Sequence, residues 1–463
     1  MSHNRTRPYR YLEYTQSLCS HCAALIAAKI VVKDDAVFLL KYCPAHGEHF
    51  ELLEDDVEYY LNRRRYDKPG TASKTQTTLS RGCPHDCGLC PAHDQHTCIG
   101  LIEVTPQCDL RCPVCFAQSA EGAPLELPVI ERMLDAFQES EDGEAEILQL
   151  SGGEPTTHPR ILDIIRLAKK KKIRFIMLNT NGLRLAEDRG FVAELSQCTP
   201  GFEVYLQFDG FEKSTYEQLR GRDLSDIKQR ALAQLAEFEI PVTLVTTVQA
   251  GVNEHELGHI VQFAMDAPYV RGVNFQPMAF VGRYPSAASA SRITLTGVLR
   301  RLEAQMHGML RVSDFIPLPC DVDRVAVTYL YRAEEGFIPI TRNTHFEQYL
   351  PLIDNTLAFD AGRVVKQLGQ ELLSGQNICK CLSFMKDLLP LAPVGKNMAY
   401  KGGKWTYAIE KTFRITVTSF IDQYNCDLKS LQKECVHVLL PDGRKMPFSA
   451  YNMLHRAREH AHV

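Results

Sequence analysis

Three cysteines in the segment CDLRCPVCF, residues 108–116, are the strongest chemical signal in this chain. The spacing of Cys108, Cys112 and Cys115 allows three thiolates to wrap one face of a small iron–sulfur cluster. A four-iron cluster with three protein ligands keeps one iron open, and an open position is what a metal needs to bind and activate a ligand. We therefore interpret the absent fourth cysteine as the site of chemistry. The alternative is a zinc knuckle or a group of buried thiols.

A second motif, SGGEP at residues 151–155, follows a short apolar strand pattern. The two motifs in this order resemble the radical S-adenosylmethionine (AdoMet) superfamily, in which an aromatic residue, here Phe116, follows the last cysteine. The resemblance implies that AdoMet chelates the open iron and that Gly152, Gly153 and Glu154 line its amino group, with Glu154 as acceptor. It also implies reductive cleavage of AdoMet to a 5′-deoxyadenosyl radical that takes hydrogen from an unactivated sp3 carbon.

Polar residues also stand where other predicted strands end. Asn179 lies in NTNG, and Gln207 and Asp209 lie in QFDG. Because ligands of parallel sheets sit at the carboxyl ends of the strands, we expect these side chains to face AdoMet or the substrate. Capping of turns by Asn and Asp is the alternative for each of them.

The elements that must position these residues alternate between strand and helix from about residue 100 to 290. LIEVT, EILQL, RFIMLN, EVYLQFDG, VTLVTTV and GVNFQPM are strand patterns, and amphipathic segments such as VIERMLDAFQES separate them. This predicts an α/β fold with a parallel sheet. With the resemblance, the expected architecture is a partial (β/α)6 barrel, a small N-terminal metal-knuckle domain and a mixed α+β C-terminal region.

Two further cysteine sets precede the barrel. Cys83, Cys87, Cys90 and Cys98 can close a four-thiolate site for zinc or for an auxiliary four-iron cluster, and the neighbouring cysteine motif favours iron–sulfur. Further upstream, two knuckles supply three sulfurs and one nitrogen for a mononuclear zinc or iron site, which would be structural. These residues are Cys19, Cys22, Cys43 and His46.

The order of these motifs narrows the resemblance to one branch of the superfamily, which includes archaeal tetraether lipid synthases and a pterin-methylating enzyme of methanopterin biosynthesis. A third cluster in this branch draws on cysteines that match Cys320 and Cys435. Ser449 stands where the branch has another cysteine, and none follows PLPC within DVDRV. Cys379 and Cys381 could replace the two lost ligands, or the C-terminal cysteines could be scattered buried thiols, so the third cluster is in doubt.

The composition excludes some partners. The formal net charge of −4 gives no basic face for nucleic acid, and no apolar run reaches membrane-spanning length. The N-terminus is unlike a signal peptide. Ten of the sixteen cysteines cluster in the first quarter of the chain, which suits metal binding in a reducing compartment, so we expect a cytoplasmic protein. The expected partners are AdoMet, a small-molecule or lipid substrate, and a reducing donor such as ferredoxin or flavodoxin.

The predicted organisation has four parts: 1–75, the knuckle domain and linker; 76–100, the auxiliary cluster segment; 101–290, the barrel; and 291–463, the C-terminal region. The predicted function is radical AdoMet functionalisation of a C–H bond, with C–C bond formation or alkyl modification as in tetraether synthesis as the first hypothesis. Radical methylation of a pterin-like ring is the alternative. A non-catalytic iron–sulfur or zinc protein for electron transfer or binding is the hypothesis from another class.

Overall fold

The computed structural model describes residues 7–71, 73–117, 121–267, 269–285, 291–333, 336–343, 350, 355–357 and 412–456. Its strands form two sheets, an N-terminal sheet of four strands and a larger sheet that begins at residue 99. Cys379 and Cys381, which could replace the lost ligands of the third cluster, lie outside the described residues.

The N-terminal sheet is antiparallel with its strands in sequence order. The strands are β1 (Arg10–Leu18), β2 (Leu25–Lys33), β3 (Ala36–Cys43) and β4 (Gly47–Glu54), and helix α1 (Val57–Asn62) follows, continued by a 3₁₀ turn (Arg63–Tyr66). Alternate residues such as Ile30 and Leu39 point inward against Tyr60 of α1. This core is small, so the sheet gains from a metal staple at its strand ends.

Six parallel strands form the centre of the large sheet, and each pairs with the next one along the chain. They are β5 (Ile99–Thr105), β6 (Ile147–Gly152), β7 (Phe175–Thr180), β8 (Phe202–Gln207), β9 (Val242–Val248) and β10 (Val270–Pro277). Each strand coincides within a few residues with a predicted one. The prediction of alternating strands and helices around a parallel sheet is therefore confirmed.

The connecting helices bury one face against these strands. They are α2 (Leu127–Ser140), α3 (Ile161–Lys170), α4 (Leu183–Glu187), α5 (Arg189–Ser196), α6 (Lys213–Arg220), α7 (Ser225–Glu237) and α8 (Leu257–Asp266). In α2 the buried residues are Ile130, Met133, Leu134 and Phe137, which recur at the three- and four-residue spacing of one helical face. A 3₁₀ turn (Pro155–Thr157) leads from β6 towards α3.

The C-terminal part extends the large sheet at both of its edges. Strand β14 (Thr412–Thr418) pairs in parallel with β10, and β15 (Val436–Leu439) pairs in parallel with β5. The further elements are α9 (Leu295–Gln305), a 3₁₀ turn (Val312–Asp314), β11 (Ile316–Pro317), β12 (Val325–Ala333), β13 (Gly336–Pro339), α10 (Ile340–Asn343), β14 (Thr412–Thr418), α11 (Leu428–Gln432), β15 (Val436–Leu439), β16 (Lys445–Pro447), α12 (Phe448–Ala450) and a π-helical turn (Tyr451–His455). Strands from the predicted barrel and from the predicted C-terminal region thus belong to one sheet, and the boundary at residue 290 stays a prediction.

Within the described ranges, no helix combines the length and the apolar character needed to cross a membrane.

Candidate active site and metal centres

A cavity of about 310 Å³ lies against the inner face of the large sheet. Side chains from all six parallel strands line it, together with residues of β12 and β14, so the sheet curves around it. Cys108, Cys112 and Cys115 line the same cavity, as do Gly152, Gly153 and Glu154. The structure therefore brings together the two motifs that the sequence singled out.

The loop after β6 passes close to the chain that leads into the three cysteines. The Gly153 N–H donates to the Thr105 carbonyl at 2.7 Å, and the Glu154 N–H donates to the Gln107 carbonyl at 2.7 Å. A Cβ on Gly153 would lie 2.1 Å from the Gln107 carbonyl oxygen. Gly152 has a φ of +130°, and a Cβ there would lie 2.3 Å from the Thr105 carbonyl oxygen. Only glycine at both positions allows this approach.

The Glu154 carboxylate is buried and is occupied by protein donors. Its Oε1 accepts from the Thr156 N–H at 3.0 Å, the Thr156 hydroxyl at 2.6 Å and the Thr180 hydroxyl at 2.7 Å, and its Oε2 accepts from the Asn181 N–H at 2.7 Å. Burial raises the pKa of Glu154, and these hydrogen bonds oppose that rise. Glu154 therefore ties the end of β6 to the end of β7, and it also lines the cavity. Its contact with the AdoMet amino group, which the resemblance implies, stays a prediction.

Asp209 likewise binds a protein partner. Its carboxylate forms a two-point ion pair with Arg220, with Nε–Oδ2 and Nη2–Oδ1 distances of 2.7 Å each, and both side chains are buried. Arg220 also donates to the Thr247 hydroxyl at 2.9 Å and to the Val114 carbonyl in the cysteine loop at 3.4 Å. Sequence reasoning missed Arg220, because an arginine in LRGRD carries no motif signal and only the fold carries it to the cysteines.

The other predicted cofactor-binding residues line the cavity. The Asn179 amide donates to the Ser151 hydroxyl at 3.3 Å, and the Gln207 side-chain oxygen, in its hydrogen-bonding orientation, accepts from Arg220. The Phe116 ring packs edge-on against Phe420 and Phe448, with centroids 5.4 and 5.9 Å apart. Contact of these three residues with AdoMet stays a prediction.

The three loop cysteines are free, half-buried thiols that converge on one cavity. Burial raises the pKa of Cys108 to about 12 and raises that of Cys112, which Arg220 partly offsets. Such thiols lose their protons when they bind a metal. Three thiols that line one cavity are the donor set that one face of a four-iron cluster needs, and ligation by these cysteines stays a prediction. When bound, such a cluster supplies the electron for the reductive cleavage of AdoMet.

The N-terminal set comes together at the ends of β1 and β3. The ligand atoms of Cys19, Cys22, Cys43 and His46 all lie within 4.8 Å of one another. The Cys22–Cys43 sulfur separation is 3.9 Å, and His46 Nδ1 lies 3.6 and 3.5 Å from the sulfurs of Cys19 and Cys43. A tetrahedron with Zn–S bonds of about 2.3 Å has edges of roughly 3.8 Å, so the four donors fit a single metal ion.

Cys98 departs from the grouping that its spacing suggested. Its sulfur lies within 4.8 Å of those of Cys320 and Cys435, and all three residues are fully buried. Cys98 immediately precedes β5 and Cys435 precedes β15, and the parallel pairing of these strands places the two cysteines side by side. Hydrogen bonds from the other two thiols and from His96 lower the pKa of Cys98, although burial acts against them. Cys320 and Cys435, which the sequence left between a third cluster and scattered thiols, are thus brought together.

Cys83, Cys87 and Cys90 remain as a separate set. The Asp86 carboxylate organises their loop, because it accepts the backbone N–H groups of Ser80, Arg81 and Gly82 at 2.6, 2.5 and 2.8 Å. These hydrogen bonds, that from Ser80 first, lower the pKa of Asp86 to about 2. Burial raises the pKa of Cys83 to about 12, and the charges of Cys90 and Asp86 add to the rise.

Comparison with protein families gives two matches. Residues 102–264 match the model of the Radical SAM superfamily, and residues 11–55 match the HMPTM N-terminal zinc ribbon domain. The first match spans the parallel strands β5–β9, and the second spans the strands that hold the N-terminal donor set.

Individual relatives agree with these matches. The chain is 31% identical to a 7,8-dihydro-6-hydroxymethylpterin dimethyltransferase of Methanocaldococcus jannaschii, over 96% of this chain and 94% of the relative. It is 30% identical to a GTP 3′,8-cyclase of Chlorobaculum tepidum over 38% of this chain and 53% of that enzyme. Among solved structures, Streptococcus suis SuiB bound to S-adenosylmethionine matches with a TM-score of 0.37 and 16% identity, over 45% of this chain and 47% of that one.

Proposed function

From the premise that the chain belongs to the radical SAM superfamily, in the branch that includes the pterin dimethyltransferase, we propose that it is a radical AdoMet enzyme that methylates a reduced pterin-like ring. The superfamily's activity, functionalisation of carbon with AdoMet and a four-iron cluster, is the activity of this chain. The substrate class and the methyl transfer are the proposal. Cys108, Cys112 and Cys115 are the proposed cluster ligands.

The polar wall of the cavity carries this proposal. The cavity lining includes residues of the sheet that can donate or accept hydrogen bonds: Gln149, Tyr205, Asn274, Gln276, Arg414, Thr416 and Thr418. The Asn274 amide donates to the Tyr205 hydroxyl and accepts from the Thr418 hydroxyl at 3.0 Å. A pterin ring offers amide, amino and ring-nitrogen groups that can pair with such a wall.

Arg414 gives the wall a fixed positive charge. The nearby Glu203, Tyr329 and Tyr205 raise the pKa of Arg414, although burial lowers it, so the guanidinium stays protonated. An alkyl chain against this wall could offer no hydrogen bond to the buried cation or to the other polar groups, so the wall suits a polar ligand better.

The residues of this chain divide the remaining work. Glu154 and Arg220 hold the strand ends and the cysteine loop in place, as their hydrogen bonds indicate. Exclusion of water from the cavity once its ligands are bound would protect a reactive radical from side reactions. We further propose that the enzyme works in the cytoplasm with a low-potential donor such as ferredoxin or flavodoxin. The free state of the described cysteines supports a reducing compartment.

The test is turnover with the reduced pterin. Anaerobically reconstituted enzyme is incubated with AdoMet, dithionite and 6-hydroxymethyl-7,8-dihydropterin, and 5′-deoxyadenosine and product masses are measured. We expect 5′-deoxyadenosine and a pterin heavier by one or two CH₂ units, and neither product from the Cys108→Ala, Cys112→Ala, Cys115→Ala triple variant.

Arg414→Met tests the polar wall. We expect pterin-dependent product to fall at least about tenfold, the scale of one lost charged hydrogen bond, while pterin-independent AdoMet cleavage persists. Turnover of an alkyl substrate with no pterin product would contradict the proposal and favour alkyl coupling.

A further inference from the structure

The regrouping of Cys98 leaves the set Cys83, Cys87 and Cys90 with three thiols where the sequence predicted four. A closed site that only relays electrons takes four protein ligands, whereas three leave an iron open. Among the described residues, Cys198 and Cys426 are the cysteines outside every set discussed above. Cys198 packs in the barrel core among the helices and strands of the parallel sheet. Cys426 is therefore the candidate that the fold leaves for the fourth ligand.

Cys426 is fully buried and packs in the same apolar cluster as Cys83 and Cys87, which also includes Leu18 and Ile421. It lies between β14 and α11, more than 300 residues further along the chain than Cys90. Burial raises the pKa of its thiol to about 12, and the nearby Cys83 contributes to the rise. The fold thus carries this thiol to the three-cysteine loop.

The segment that carries Cys426 is fixed in place by two charged side chains. The Asp422 carboxylate accepts from the Phe280 N–H at 2.9 Å and from Arg292 at 2.7 Å. Lys41 of the N-terminal sheet donates to the carbonyls of Gln423 and Tyr424 at 2.8 and 3.0 Å. A ligand on a segment held in this way is preorganised, which favours metal binding.

The charge of Lys41 also suits a thiolate at position 426. Its ammonium donates to three backbone carbonyls, the third being that of Leu18 at 2.8 Å. Cys426 is near enough for the Lys41 charge to oppose the effect of burial on the pKa of the thiol. A thiolate bound to metal next to this ammonium would be partly neutralised.

We propose that Cys426 is the fourth thiolate of a closed iron–sulfur site formed with Cys83, Cys87 and Cys90. The site goes beyond the proposed function, because it concerns a second cluster outside the cavity. Its test measures the iron content and the EPR spectrum and does not depend on turnover of a pterin. The pterin proposal can therefore fail while this one holds, and this one can fail while the pterin proposal holds.

The experiment uses the full chain carrying Cys108→Ala, Cys112→Ala and Cys115→Ala, which removes the radical cluster from the spectra. Into this background we place Cys426→Ala, with Cys83→Ala as the reference for loss of the site and Cys198→Ala as a buried control. After anaerobic reconstitution, iron and sulfide per chain and the EPR spectrum of the reduced protein are measured.

We expect Cys426→Ala to lose between about one and four iron ions per chain and to lose or alter the same EPR component as Cys83→Ala, because the cluster then lacks a ligand. Cys198→Ala should leave both readouts unchanged. If Cys426→Ala keeps the component that Cys83→Ala loses, with unchanged iron and sulfide, the proposal is overturned. If Cys98→Ala alone removes that component, the grouping suggested by spacing is correct instead.

Ser449→Cys separates ligand loss from misfolding. The Ser449 hydroxyl contacts the Ile421 N–H at 3.2 Å and Glu434, whose charge raises the pKa of Cys87, so position 449 borders the same pocket. We expect Cys426→Ala with Ser449→Cys to regain iron and the EPR component. Loss of iron in Cys426→Ala together with an unfolded circular dichroism spectrum and no rescue by Ser449→Cys would count against a ligand role.

Discussion

At the scale of single residues, the site divides into groups that can reach AdoMet or iron and groups that hold them. The three loop thiols face the cavity. The oxygens of Glu154 and Asp209 bind Thr156, Thr180, Asn181 and Arg220, and the predicted contact of these two residues with AdoMet or substrate stays a prediction. A buried carboxylate must be hydrogen-bonded or paired, and here the protein itself supplies the partners.

Arg220→Met should affect both stability and the radical cluster. Removing one partner of a buried ion pair costs about 3–5 kcal/mol, because Asp209 is left charged and unpaired. Removing a positive charge beside the thiolates also makes the addition of an electron less favourable. We therefore expect a lower unfolding midpoint and a more negative cluster potential in an EPR-monitored redox titration.

Arg184→Met is the control for Arg220→Met, since this arginine pairs with Asp188 at a partly exposed position. It should leave the potential unchanged. An Arg220→Met enzyme with the parental cluster potential would show that the arginine acts on folding alone.

At the scale of elements, the end of β6 and the entry to the cysteine loop form one unit. The N–H groups of Gly153 and Glu154 donate to the carbonyls of Thr105 and Gln107, at 2.7 Å each. A displacement of either segment therefore moves the other. The glycines allow this close approach, so the neighbouring segment helps to shape the loop that is predicted to bind AdoMet.

Gly153→Ala should therefore disrupt the cysteine loop. Its Cβ would lie 2.1 Å from the Gln107 carbonyl oxygen, and backbone on both sides leaves little room to move. We expect AdoMet cleavage to fall by at least about a hundredfold, since a misplacement of 1 Å can have such an effect. The measurement is 5′-deoxyadenosine formation at matched iron content.

Gly190→Ala in α5 is the matched glycine control, because the nearest atom to its Cβ is at an ordinary 3.5 Å. It should be neutral or slightly stabilising, by up to about 1 kcal/mol. Full activity in Gly153→Ala would show that the two segments tolerate separation.

At the scale of the whole molecule, the N-terminal sheet docks on the barrel through buried polar contacts. Lys41 reaches the segment before α11, Arg63 pairs with Asp323 at 2.7 Å, and the Glu54 carboxylate accepts from the N–H of Thr296 in α9 at 3.2 Å. These contacts join parts of the chain that are hundreds of residues apart. The metal knuckle is therefore anchored to the sheet that lines the cavity.

Glu54 gives this docking a pH dependence. Burial raises the pKa of Glu54 to about 7 from an ordinary 4.5, while the Thr296 hydrogen bond and Arg63 oppose the rise. The folded protein thus holds a proton that the unfolded chain has lost. The protonated Glu54 carboxyl therefore stabilises the folded state fully at pH values below its pKa in the unfolded chain. This contribution to the free energy of unfolding is lost as the pH rises through about 7, and the loss is roughly 3 kcal/mol at most.

Urea unfolding of the parent and of Glu54→Gln at about pH 5 and about pH 8 measures this effect. The parent should lose more stability between the two values than the variant, because glutamine does not titrate. Equal pH dependence of the two proteins would place the Glu54 pKa near its ordinary value.

The sequence alone determined much of this protein. Periodicity located the six parallel strands and the buried face of α2, because hydrophobic repeats of two and of three to four residues directly encode strands and helices. Local spacing also predicted the three cysteines of residues 108–115 and the donor set of Cys19 and His46. The cysteines of the loop are neighbours along the chain, and so are the two donors on each N-terminal knuckle.

Only the tertiary structure decided which distant groups meet. The parallel pairing of β5 with β15 carries Cys98 to Cys435, a proximity that its spacing from Cys83, Cys87 and Cys90 does not reveal. The same folding carries Arg220 to the cysteine loop, Arg414 to the cavity wall and Cys426 to Cys83. Spacing records neighbours along one segment, whereas contacts between segments depend on the packing of the whole sheet, which no local pattern contains.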